Sequence, residues 1–291
     1  MEVILLTLFI CVITAVSRVF LKRGMQNSTP LMGMVVSLIL GCVILWTVAL
    51  LTTPLNGHDP KGILYFALIG TVAPPLVRYL TYIGIDRVGA SRSDQLRSLT
   101  PFFAILFAVV IFGENLNLFM VFAAVLIFSG VVVISQNQMG EKKATDFKKQ
   151  DLLYPLLAAI VAGVIANMRK LGTGLLAYPV LAAAIAATSA VVVFLVFLII
   201  SGKIRELSPK QLLGKHFIFA GLLTSATDVL DLMVLKRGQV SVVVPLLATT
   251  PLFVLLLSHI YLRDLEKINR RLVIGAVLIF GGIQVILWNN I

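Results

Sequence analysis

Ten apolar stretches, most of them twenty or more residues long, fill most of this chain of 291 residues. They run roughly over 2–21, 31–52, 62–85, 90–113, 116–135, 152–172, 178–201, 216–236, 240–262 and 272–289. At a rise of ~1.5 Å per residue, ~20 residues cross the ~30 Å hydrocarbon layer of a bilayer. Only helices and closed barrels satisfy their backbone groups in lipid, and a barrel strand is a ~10-residue alternating segment. These runs are continuous, so the expected fold is an all-α membrane protein of about ten transmembrane helices. Composition agrees. Charged residues make up 13% of the chain and hydrophobic ones 59%, whereas a soluble domain carries about 25% charged residues. The partner implied throughout is the lipid bilayer.

The formal net charge is +11, but it sits in short stretches between apolar runs. That is a membrane distribution and not a basic groove, so no nucleic-acid partner is expected. Cys11 and Cys42 lie inside apolar runs and read as small buried hydrophobes. Neither zinc spacing nor a disulfide framework can be built from them. His58, His216 and His259 are scattered without an HExxH-type pairing. No metal centre and no other cofactor is expected. The N-terminus lacks a basic region ahead of its apolar run, and Lys22-Arg23 follow that run without a small-residue cleavage site. The first helix is therefore read as retained.

The chain repeats itself. Residues 98–113 (SLTPFFAILFAVVIFG) resemble residues 248–263 (ATTPLFVLLLSHIYLR), with Pro101 matching Pro251 and Glu114 matching Asp264. LIFSG at 126–130 matches LIFGG at 278–282, Lys22-x-Gly24 resembles Lys170-x-Gly172, and Pro30 resembles Pro179. The matches keep their order at offsets of 148 to 152. The long polar stretch 136–151 separates the halves, giving a first repeat over 1–135, a cytoplasmic linker over 136–151 and a second repeat over 152–291. A second, shorter polar stretch covers 201–215. Five crossings per half is an odd number, so the second repeat enters from the opposite side and the repeats are inverted. That is a scaffold of secondary transporters, with a midplane site at the repeat interface.

Loop charge sets the expected orientation. The loops after runs 1, 3, 5, 7 and 9 hold sixteen Lys and Arg against five on the other side. The positive-inside rule places the first set in the cytoplasm and both termini outside. The expected home is the plasma membrane of a bacterium or archaeon.

A Pro-centred fourth helix ending in Gly113-Glu114, and a fifth ending in Ser129-Gly130 before Val131-Val132-Val133, resemble the drug/metabolite transporter superfamily, EamA type. The resemblance covers roughly 2–135 and 152–289. It implies two five-helix halves and a transporter of small solutes; members move amino acids, sugars and nucleotide conjugates, other metabolites and drugs. Leu262-Arg263-Asp264 departs from the pattern of Phe112-Gly113-Glu114.

Ionisable residues inside the membrane are expensive and usually face a cavity or a partner. They are Arg18, Arg78, Asp94, Arg97, Asp228 and Asp231. Arg78 lies nine residues before Arg87, ~13 Å in, and Asp228 eight before Lys236, ~12 Å in. They stand at the repeat offset of 150 with opposite charges. One reading is a midplane site where Arg78 takes a carboxylate or phosphate and Asp228 an amine or proton; the other is a structural ion pair. Asp94 and Arg97, spaced i, i+3, share a face and can satisfy each other. The resemblance implies that the fourth helix lines the cavity, which brings Arg97 toward substrate. Asp231 shares a face with Asp228 but lies nearer the outer end. Arg18, four residues from Lys22, can snorkel. Tyr79 and Tyr82 are lining candidates, with plain packing as the alternative. Pro74-Pro75 are expected to kink or break the third helix, and Pro101 and Pro251 to bend the fourth and ninth as hinges. The alanine-rich seventh run suits close helix contact.

These readings converge on a secondary active transporter, an exporter or exchanger, for a small organic solute of anionic or zwitterionic character, working by alternating access. No P-loop is present, so ATP is not its direct fuel. A proton is a candidate coupling ion through Asp94, Asp228 or Asp231. The alternatives are a lipid or polyprenyl-phosphate flippase and a membrane-embedded lipid transferase, for which Asp228-x-x-Asp231 is a poor metal motif.

Overall fold

The computed structural model describes residues 2–25, 30–54, 57–88, 93, 96–115, 117–135, 148–202, 215–261 and 270–289. The side chains of Pro74, Arg78, Tyr82 and Pro251 lie outside the described set. Among the described residues every regular element is helical: α1 (Glu2–Met25), α2 (Pro30–Thr52), α3 (Pro60–Val88), α4 (Thr100–Phe112), α5 (Leu118–Ser135), α6 (Leu153–Leu175), α7 (Pro179–Ile200), α8 (Lys215–Arg237), α9 (Val240–Leu247), α10 (Thr250–Tyr261) and α11 (Arg270–Asn289). A 3₁₀ turn over Lys149–Leu152 leads into α6. Among the described residues, five helices hold spans long and apolar enough to cross a membrane: Glu2–Phe20, Pro60–Thr81, Gln150–Leu175, Pro179–Ile200 and Lys215–Arg237. Five shorter apolar stretches fall at the other expected crossings: Leu38–Thr52, Thr100–Phe112, Leu118–Val133, Val240–Val254 and Val273–Ile286. The chain is thus an all-α membrane protein of ten crossings.

Local chemistry sets the ends. Prolines open α2, α3 and α7, where a missing N–H leaves nothing unpaired. Gly113 closes α4 with φ of 62°, its N–H bonded to the Val109 carbonyl, a left-handed cap that glycine adopts without strain. The expected effect of Pro74-Pro75 divides: α3 runs unbroken from Pro60 to Val88, so no break occurs there.

The helices cluster into two compact units. The first comprises Met1–Cys11, Leu76–Met168 and Arg237–Ile291; the second Val12–Pro75 and Arg169–Lys236. Each draws on both repeats. In the first, α5 packs on α11 through small residues. A methyl on Gly130 would fall 2.6 Å from the Gly275 carbonyl oxygen and 2.7 Å from Ile279 Cγ1. One on Gly282 would fall 2.6 Å from Ile127 Cγ1 and 2.8 Å from the Ala123 carbonyl oxygen. Residue numbers rise along one helix as they fall along the other, so the two run antiparallel. Residues 123 and 275, 127 and 279, and 130 and 282 are repeat mates at an offset of 152, so the approach of 130 to 275 and 279 is mirrored by that of 282 to 123 and 127, and the seam is its own mirror under the repeat. The fifth crossings of the two halves therefore point in opposite directions, as an inverted repeat requires. Ile4, Leu246, Leu252 and Ile286 extend this core.

In the second unit α2 packs on α7, where Trp46 Nε1 donates to Thr188 Oγ1 at 2.7 Å and Val35, Phe194 and Leu198 form a buried cluster. Ser17 of α1 donates to the Ala220 carbonyl of α8 at 2.9 Å. Gly70 of α3 lies so close to Ala186 of α7 that a methyl there would meet the Ala186 backbone, which fits the alanine-rich face of α7.

Candidate functional site

Crossings four and nine are both broken, and at repeat-equivalent places. Residues 98–99 form a turn before α4, and residues 248–249 a turn between α9 and α10. Proline is the cause. Pro101 has no N–H to give the carbonyl four residues back, that of Arg97, and Pro251 none for that of Leu247. The preceding threonines repair the loss: Thr100 Oγ1 donates to the Arg97 carbonyl at 2.8 Å, and Thr250 Oγ1 to the Leu247 carbonyl at 2.6 Å. Thr249 Oγ1 and Cys11 Sγ both donate to the Leu246 carbonyl, at 2.7 and 3.3 Å. α4 and α9 pack against each other within the first unit, so the two breaks belong to one body.

Arg97 sits at the first break. Its Nη1 donates at 3.2 Å to Thr81 Oγ1 on α3, and Thr81 in turn donates to the Val77 carbonyl at 2.6 Å. Arg97 is thus held to α3 by a hydroxyl that the sequence reading had not singled out. Its expected partner Asp94 lies outside the described residues. Arg78 stands three residues before Thr81, on the same helix face. Tyr79 is 54% exposed. Nearby, Asn167 of α6 is fully buried. Its Nδ2 donates to the Ala104 and Gly163 carbonyls at 3.0 and 2.9 Å, while its Oδ1 has no partner among the described residues.

The second unit carries its own charges. Asp228 and Asp231 lie one turn apart on α8, with Oδ1 of Asp231 buried and unbonded among the described residues. Arg169 of α6 and Asp228 are the charged groups that act on Asp231. The five loop charges on the poorer side are Lys61, Arg169, Lys170, Lys236 and Arg237, but the structure places Arg169 and Lys170 six and five residues inside the end of α6, ~9 and ~8 Å deep. An apolar run flanked by such a pair gives no sign of where its helix stops. Arg18 is exposed on α1. A cavity of about 300 Å³ in this unit is lined by residues that include Trp46, His58, Ile185, Thr188 and Ser189. Of the proposed charge pair, Arg78 belongs to the first unit and Asp228 to the second.

Glu114, which the sequence offers as a repeat marker and as part of the family pattern, has a structural role as well. From the connection after α4, its carboxylate accepts the Val240 N–H at 2.9 Å, the Ser241 N–H at 3.0 Å and the Ser241 hydroxyl at 2.6 Å. It caps the start of α9, whose own N-cap residue Gln239 offers no side-chain bond. An anion at a helix N-terminus satisfies orphan donors and complements the dipole. The acid of one repeat thus fixes the broken crossing of the other.

Comparison with known proteins adds the family. No curated protein matches the chain. Among solved structures, a crystal structure described only as that of a protein superposes with a TM-score of 0.76, covering 98% of this chain and 96% of that one at 17% identity, which establishes a shared fold. The sequence model of the EamA-like transporter family matches twice, over residues 1–136 and 150–288. Two matches, one per half of a ten-crossing chain, account for nearly every residue. The chain belongs to the EamA-like transporter family, whose members carry small solutes across membranes.

Proposed function

We propose that the chain is a secondary active transporter, an exporter or exchanger, that moves a small anionic or zwitterionic organic solute by alternating access. The observation that carries this reading is the pair of matched breaks, one before α4 and one between α9 and α10. Discontinuous helices in corresponding positions of inverted repeats are where such transporters bind their cargo, because the freed backbone groups line a cavity. Arg97 stands at one break and Arg78 lies on the adjoining helix, so the charge beside the breaks is positive. Asp228 and Asp231, one turn apart on α8, are carboxylates of the kind that an amino group or a coupling proton requires.

The test begins with cargo. Metabolites in cells and medium are compared with and without the gene, and the solutes that change are assayed for flux in proteoliposomes. Losing a charged hydrogen bond to substrate removes ~1.5–3 kcal/mol, a factor of about ten to a hundred. Arg97→Ala and Arg78→Ala are each expected to lower flux of the active solute on that scale. Unchanged flux for every active solute would remove the substituted arginine from the site. An active panel of neutral or cationic solutes alone would defeat the anionic reading.

A further inference from the structure

The cavity of about 300 Å³ in the second unit draws all its described lining residues from that unit, and none of them is an acid, a lysine or an arginine. Its walls come from the end of α2, the connection after it, the start of α3 and the first half of α7. Crossing numbers put these ends on one face, since α2 ends after two crossings and α7 begins after six. Trp46 lies six residues before the end of α2 and Ser189 ten after the start of α7, ~9 and ~15 Å into the membrane. His58 stands on the connection between α2 and α3. The cavity is thus a slot that runs from the aqueous edge toward the midplane.

Two of its aromatic walls are pinned. Trp46 Nε1 donates to Thr188 Oγ1 at 2.7 Å, and Thr188 donates onward to the Ala184 carbonyl at 2.9 Å. Neither the indole proton nor the threonine proton is left for a ligand. His58 Nε2 donates to the Pro54 carbonyl, and its ring meets that of Tyr178 edge-on, with centroids 5.3 Å apart. What remains is acceptor capacity. Ser189 Oγ gives its proton to the Ile185 carbonyl at 3.3 Å and keeps its lone pairs, and the neutral His58 ring keeps Nδ1. Leu181 and Ile185, 3% and 8% exposed, supply an apolar wall.

This lining selects its occupant. A charged ligand would lose its hydration here with no opposite charge to replace it. A hydrocarbon would leave the acceptors unmatched. A flat ring can lie offset or edge-on against the fixed aromatic walls. We propose that the slot binds an uncharged aromatic solute bearing an O–H or N–H donor, of the phenol or indole class, which enters from the face that holds His58. The site is additional to the solute path proposed above, because none of the charged groups invoked there lines the slot.

Trp46 supplies its own readout. The chain has two tryptophans, and Trp288 is 86% exposed near the end of α11, so Trp288→Phe leaves Trp46 as the one indole. The full chain with that substitution is placed in lipid nanodiscs and titrated with 4-bromophenol, whose bromine quenches an indole on contact. Quenching that saturates is expected. Adding Ile185→Phe, which fills the slot, should leave only the linear quenching of probe dissolved in lipid. Ser189→Ala keeps the shape and removes an acceptor. It should raise the half-saturating concentration of 4-bromophenol about two- to tenfold, the loss of one neutral hydrogen bond, and leave that of bromobenzene unchanged. 4-Bromobenzoate, a similar ring with a full charge, should not saturate. Linear quenching by 4-bromophenol before either slot substitution would overturn the site. Saturation that 4-bromobenzoate shares, or that Ser189→Ala leaves alone, would overturn the class of ligand. Lipid brominated on its acyl chains tests the other source of an apolar occupant. Strong quenching of Trp46 by that lipid, unrelieved by added phenol, would make the slot a lipid groove and sink the proposal.

Discussion

Threonine before proline carries much of the backbone chemistry at residue scale. Thr250 is 6% exposed and its hydroxyl bonds the Leu247 carbonyl, which Pro251 leaves without its usual donor. Replacing it with valine keeps the shape and removes the bond. Hydrogen bonds between side chains in membrane proteins average ~0.6 kcal/mol and reach ~1.7, and an orphaned buried carbonyl adds to the loss. Thr250→Val is expected to lower stability in detergent by about 1–2 kcal/mol, and Thr100→Val, at a less buried site, by less; a thermal or denaturant series reads both. Glu114 gives a larger effect. Glu114→Ala leaves two helix-start N–H groups unpaired and should cost about 2–3 kcal/mol, while Glu114→Gln, which keeps an acceptor, should cost less than half of that. At this scale the sequence was partly legible. The proline pair and the acid pair were visible as matched letters, because repeats preserve order. What each did was not visible, since a cap made across 126 residues of chain leaves no local trace. Arg169 was missed for the opposite reason: a charge near the end of an apolar run reads as a flank.

Elements were easier to read than their interruptions. Continuous apolar length identified all ten crossings, but the same length concealed that the fourth and ninth are built in pieces, because an apolar turn looks like an apolar helix. The expectation for Pro74-Pro75 shows the converse. Two adjacent prolines favour a break, yet α3 continues through them, and a proline's effect depends on what surrounds it. The α5–α11 seam is the firmest contact between elements and yields a paired prediction. Gly130→Ala and Gly282→Ala each place a methyl within 2.6–2.8 Å of partner backbone or side chain, and such overpacking costs about 1–3 kcal/mol. The repeat symmetry makes the two losses nearly equal. Gly281→Ala is the control, since none of the described residues lies within 4 Å of its added methyl; there the gain in helix propensity, ~0.5–1 kcal/mol, should show instead. Equal losses at 130 and 281, measured as thermal stability of the purified protein, would mean that the seam is not closed as described.

For the whole molecule, inversion and orientation are separate questions. The antiparallel seam settles how the halves run with respect to each other, but it is indifferent to which face meets the cytoplasm. Charge decides that. Sixteen Lys and Arg flank one set of crossings and five the other; with Arg169 and Lys170 inside α6, only Lys61, Lys236 and Arg237 remain on the poorer side. Insertion reads charges near helix ends and not those ~8–9 Å within a helix, so the bias is steeper than the sequence count alone implied. Both termini are therefore expected on the outer side. Alkaline phosphatase fused after Ile291 should be active, since that enzyme folds only in an oxidising compartment, and fluorescent protein fused there dark. The same reporters placed in the linker at 136–147 should give the reverse pattern. Ten crossings demand that the two positions disagree, because five crossings separate them. Matching signals at both sites would overturn the crossing count as well as the orientation, while a clean reversal would keep the count and turn the molecule over.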